Sequence, residues 1–75
     1  MQTFKMSIVV EKDKNGYYAY CPELQGCYSQ GDTYEEAVEN IRDAIKLHIE
    51  DRLAEGEEIS QSEITSIANI EVNVS

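Results

Sequence analysis

His48 is the single histidine of this 75-residue chain, and it stands beside Ala44, Ile45 and Ile49 on what reads as the apolar side of a helix. Acid–base and nucleophilic catalysis need a proton acceptor within hydrogen-bond reach of a reacting group. A lone histidine among apolar neighbours reads instead as a packing residue. The two cysteines, Cys21 and Cys27, are separated by five residues. That spacing fits no common zinc or thiol–disulfide pattern. In a reducing compartment such thiols behave as small buried apolar groups. The carboxylates are numerous but scattered. Glu11 and Glu71 fall at outward positions of expected strands, and Glu23 stands alone in a loop. There is no Ser–His–Asp set, no His-x-x-x-His pair and no glycine-rich phosphate loop. The inventory therefore points to a protein without catalytic residues, without a cofactor and without a metal site.

Charge narrows the classes further. Fifteen acidic residues against six basic ones give a net charge of −9. Phosphate backbones are held by clustered Lys and Arg, so direct nucleic-acid binding is not expected. An acidic surface is complementary to a basic protein, although acidity also serves solubility alone. No run approaches the ~18 apolar residues of a membrane span. The start lacks the basic, apolar and small-residue parts of a signal peptide. The expectation is one cytoplasmic domain over residues 1–75, too small to bury a large core and open to stabilisation by homo-oligomerisation.

The elements that position these residues centre on the stretch Tyr20 to Ala37. Pro22 cannot donate to a sheet ladder, so a strand should stop near Cys21. Gly26 permits the reversal that follows. Cys27 to Gln30 reads as a short strand, which Gly31 and Asp32 end. Thr33 and Glu36 form a Thr-x-x-Glu capping box, in which the Glu36 carboxylate is expected to reach back to the Thr33 amide. Upstream, Phe4, Met6, Ile8 and Val10 alternate with polar neighbours and predict a strand. Lys12 to Gly16 is a hairpin turn ending in Asn-Gly. Tyr17 to Cys21 returns, with Ala19 and Cys21 under the helix and Tyr18 and Tyr20 on the opposite face. Tyr34, Ala37, Val38, Ile41, Ala44, Ile45, His48, Ile49 and Leu53 recur at helical spacing, predicting a helix from about Tyr34 to Glu55 with Gly56 as its C-terminal cap. Glu57 to Ser66 reads as a loop, and Ile70, Val72 and Val74 alternate as a last strand.

The predicted fold is α+β, ordered β-β-β-α-β. An antiparallel meander carries one crossover helix on one face, and a final strand beside the first gives sheet order 3-2-1-4. The alternative is a three-strand meander in which Ile67 to Val74 serves a neighbouring chain.

The segments Pro22-Glu23-Leu24-Gln25-Gly26-Cys27, Gly31-Asp32-Thr33, Glu35-Glu36-Ala37, Asn40-Ile41 and Ala44-Ile45 together resemble the HicB family, the antitoxin half of a bacterial and archaeal toxin–antitoxin pair. The resemblance spans residues 4 to 60 or so. It departs at Gln25, where the family usually has proline, and at Ile59 to Ser62, which lacks the family's frequent prolines. It implies a partial ribonuclease-H-like fold in which Pro22, Gly26, Gly31, Thr33 and Glu36 are structural. It also implies a partner of the HicA type, a small basic ribonuclease. Tyr18, Tyr20 and Glu23 are the candidate partner-binding residues. Many proteins resembling this family carry a separate DNA-reading module after the domain. Here the residues after Gly56 contain no Lys or Arg and are expected to bind no operator. The competing class is an orphan α+β domain with its own ligand or activity. A short basic reading frame beside the gene separates the two.

Overall fold

A computed structural model describes residues 2–61 and 68–74. Strands β1 (Val9–Asp13), β2 (Gly16–Tyr20) and β3 (Tyr28–Gly31) are followed by helix α1 (Tyr34–Ala54). The sheet is an antiparallel meander of order β1-β2-β3. This is the expected α+β class. The hairpin between β1 and β2 turns through Lys14 and Asn15. The Asp13 Oδ1 accepts from the Asn15 amide at 2.8 Å, and Gly16 takes φ +135°, which a side chain would resist.

Two strand expectations change. The first strand begins at Val9, not Phe4. Phe4, Met6 and Ile8 still pack on the core, but β2 ends at Tyr20, and the ladder stops at the Val9–Tyr20 pair. Side chains take over. The Ser7 amide donates to both Glu23 oxygens at 3.2 and 3.3 Å, and the Lys5 amide donates to Gln61 Oε1 at 2.6 Å. The second change is the last strand. Residues 68–74 form no strand and lie exposed, so Glu71 is not on a strand and order 3-2-1-4 is not assembled. Alternation marks a segment able to pair, but not the edge it pairs with. Of the expected loop, residues 57–61 have no regular structure; Ser62 to Ser66, and Ile67 of the alternative, lie outside the described residues.

Helix α1 starts as its cap requires. Thr33 is extended, and its hydroxyl accepts from the Glu36 amide at 3.1 Å. The return arm differs: Glu36 Oε1 accepts from Asp32, one residue earlier, at 3.3 Å. The helix ends in a Schellman pattern, with Gly56 at φ +80°, its amide on Leu53 oxygen at 3.0 Å, and Glu57 amide on Arg52 oxygen at 2.9 Å.

Ala37, Ile41 and Ile49 of α1 are buried against Ala19, Cys21, Leu24 and Cys27. Tyr34 and Leu53, expected in the same stripe, lie mostly outside it. Small residues at Ala19 and Ala37 let helix and sheet approach closely. Gly31 makes the approach closest: a Cβ there would stand 2.7 Å from the Ala37 amide nitrogen. Its role is therefore space for the first turn of α1, in addition to ending β3.

Candidate partner-binding face

The pleat of β2 divides its tyrosines as expected. Ala19 is fully buried under α1, so Tyr18 and Tyr20 take the opposite face. Tyr17 shares the helix side. It meets Tyr34 edge-on, with ring centroids at 6.4 Å and planes at 83°, and Lys12 Nζ lies 5.8 Å from its centroid.

On the outer face, register brings a third tyrosine into line. Tyr20 pairs with Tyr28 and Val9, and Tyr18 pairs with Gln30 and Glu11. Tyr18 and Tyr28 stack diagonally across the strands, with centroids at 6.1 Å and planes at 22°. Tyr18 is 43% exposed and Tyr28 61%; Tyr20 is half-buried. The result is a two-ring platform on an uncovered sheet face, bordered by the Glu11 carboxylate. Sequence reasoning named Tyr18 and Tyr20 and missed Tyr28. Its alternation within the third strand was visible, but only the register places it on their face.

Glu23 lies elsewhere. The loop from Pro22 to Gly26 is closed by backbone bonds from Cys21 to Cys27, from Leu24 to Cys21 and from Cys27 to Leu24, at 3.0, 3.2 and 3.1 Å. Gly26 at φ +80° makes the reversal, and Leu24 plugs the core at 2% exposure. The Arg52 guanidinium ties the loop to the end of α1 through Gln25 oxygen at 3.1 Å. Glu23 faces inward along this loop, holding the Ser7 amide and accepting from the Cys21 thiol at 3.5 Å. Burial works to raise its pKa, but hydrogen bonds from Ser7, from its own amide and from Cys21 outweigh this. The carboxyl sits below its ordinary value.

The thiols are poorly suited to attack. Burial pushes Cys21 up, and the Glu23 carboxylate adds to this against the opposing backbone amides of Glu23 and Leu24; burial pushes Cys27 up, partly offset by Arg52. Thiolate is the nucleophilic form, and both environments disfavour it. His48 is half-buried beside Ala44, Leu47 and Asp51. Glu11 and Glu71 are exposed and far apart in the sequence. Among the described residues, no group of three or more His, Cys, Asp or Glu is placed to hold a metal ion, and no helix is long and apolar enough to cross a membrane. Of the residues implied to be structural, Pro22, Gly26, Gly31, Thr33 and Glu36 all lie in the loop, the strand end or the cap that join the sheet to α1.

What these features define is a small α+β domain with an aromatic sheet face and without an assembled catalytic group among its described residues. Residues 6–74 match the family described as a HicB-like antitoxin of bacterial toxin–antitoxin systems, and the chain belongs to that family. A UPF0150 protein of Synechocystis is 44% identical over 64 residues, covering 84% of this chain and 81% of that one. A UPF0150 protein of Helicobacter pylori is 45% identical over 67 residues, covering 89% and 93%. Among solved structures, a chain of a HicA3 and HicB3 toxin–antitoxin complex is similar in fold, with TM-score 0.61 and 24% identity over 79% of this chain and 72% of that one. Family and fold together support a role in a toxin–antitoxin system.

Proposed function

We propose that this chain is a cytoplasmic antitoxin that binds and neutralises a small basic ribonuclease of the HicA type, without catalysis of its own and without contacting nucleic acid. The observation that carries the reading is the Tyr18–Tyr28 platform, exposed on a domain of net charge −9. Tyrosines are over-represented among residues that dominate interface energies, and rings with free faces accept Arg and Lys. Tyr20 and Glu11 complete the face. Glu23 contributes indirectly, by fastening the N-terminal segment to the loop that follows β2. By covering the toxin's basic surface, the domain competes with RNA for it.

The test is to look for a short basic reading frame beside the gene and to co-express its product with this chain. The two should copurify, and the complex should lose the toxin's RNA cleavage. Tyr18→Ala and Tyr28→Ala should each weaken binding by about tenfold or more, the range of a hot-spot residue. Failure of the wild-type domain to bind or inhibit that protein removes the antitoxin reading. Full binding by the doubly substituted domain moves the contact to another face.

A further inference from the structure

Residues 68–74, after α1, carry an alternating apolar pattern that their own sheet does not use. Ile70, Val72 and Val74 are 84%, 70% and 88% exposed. They alternate with Glu71 and Asn73, so an extended backbone puts all three on one face. The chain's radius of gyration is 14.6 Å, against about 11 Å for a compact chain of this length. Its long axis is 49 Å, well beyond the roughly 31 Å of a 21-residue helix. At these exposures the three side chains are not packed on their own domain, and the elongated shape agrees with that.

The body, in turn, lacks a strand on one side among the described residues. The outer edge of β3 is taken by α1: Asn40 Nδ2 donates to Gln30 oxygen at 2.8 Å, and Glu36 takes the Asp32 amide. Among the described residues, no strand lies beside the outer edge of β1. Helix α1 packs chiefly over β3 and β2 and only lightly over β1. The offset opens a groove beside the segment leading into β1, lined by Phe4, Met6, Ile8, Val38, Ile41 and Ile45, with Arg42 as its one charged member. An unpaired strand edge beside an apolar groove accepts a strand with one apolar face.

We propose that residues 68–74 of one copy add as a strand along the outer edge of β1 of a second copy, seating Ile70, Val72 and Val74 in that groove. The exchange is reciprocal. Each copy donates a tail and accepts one, which closes an isologous dimer. The occupant is argued from the chain itself. The tail has the period and polarity that the groove and edge require, and its apolar side chains are not packed on their own domain. Glu71 and Asn73 face solvent in the completed sheet. The proposal stands apart from the toxin reading, because its readouts are mass and interchain proximity.

The test uses the full chain. Sedimentation should show a dimer at micromolar concentration. Val72→Pro removes an amide from the added strand, and Ile70→Lys puts charge into the groove. Each should raise the dimer dissociation constant by at least about tenfold while leaving the helical circular dichroism unchanged. A mixture of isotope-labelled and unlabelled wild-type chains needs no substitution. It should show cross-chain NOEs between the Val72 methyls and those of Ile41 or Ile45. A monomeric wild type, a dimer unaffected by both variants, or NOEs confined within one chain would each overturn the exchange; the last would mean that the tail closes its own sheet.

Discussion

The Glu23 carboxylate accepts from the Ser7 amide and the Cys21 thiol, so it fastens the N-terminal segment to the loop that follows β2. Its pKa lies below the ordinary 4.5, so the unfolded chain takes up the proton first. The stability it contributes is complete above the ordinary value and is lost as pH falls through the folded value. Glu23→Gln keeps an acceptor but loses the charge-assisted part of the bonds, at roughly 1 kcal/mol near neutral pH. Urea midpoints of the two proteins should differ at pH 7 and converge as pH drops below that range; a constant gap would mean that ionisation is irrelevant. The thiols have the opposite sign. Their folded values are raised from 9.0, so their contribution is complete below that value and fades at higher pH. Cys21 and Cys27 should react slowly with a thiol reagent in the native protein and promptly in urea. Fast native reaction would show that the loop opens readily.

At the scale of elements, α1 is held by a cap, a close approach and a core, and substitutions separate the three. Thr33→Ala removes the hydroxyl that accepts from Glu36 and should cost about 1 kcal/mol. Ile41→Ala empties a position 1% exposed and should cost about 2–5 kcal/mol. Gly31→Ala drives a methyl to 2.7 Å from the backbone of Ala37. It should exceed Thr33→Ala, because backbone on both sides must move. Equilibrium urea melts rank them, and Thr33→Ala as the costliest would place the helix in another register. The helix was legible because eight apolar positions and His48, at helical spacing, leave little choice of buried side. The cap was legible because Thr-x-x-Glu is local chemistry. The steric role of Gly31 was hidden, since it depends on how near α1 passes. The return of Glu36 to Asp32, and not to Thr33, is a choice between adjacent amides that the residue types do not distinguish. Tyr28 was hidden in the register between β2 and β3. The inward use of Glu23 was hidden because Ser7 is sixteen residues away. The tail's alternation was visible, but the edge it pairs with is a property of the assembly.

For the whole molecule, charge sets how partners arrive. Cationic residues are few, and the Arg42–Glu39 contact at 3.9 Å is exposed and worth little for stability. Residues 57–75 contain no Lys or Arg, so phosphate contacts lack donors there. The isolated domain should not retard its promoter in a gel shift at physiological salt; specific retardation that survives competitor DNA would show a basic surface formed by assembly. A basic toxin meets the reverse situation. The excess of nine negative charges attracts it over a Debye length of about 10 Å at 0.1 M salt, which raises the encounter rate more than the final affinity. The tyrosine platform is apolar and should govern dissociation instead. Stopped-flow association with the toxin should therefore slow by about tenfold or more from low to high ionic strength, with a dissociation rate that changes little. Tyr28→Ala should do the converse, quickening dissociation while leaving the salt dependence of association intact. Association that is indifferent to salt would mean that the charge serves only solubility, and the tyrosine face would then have to capture the toxin unaided.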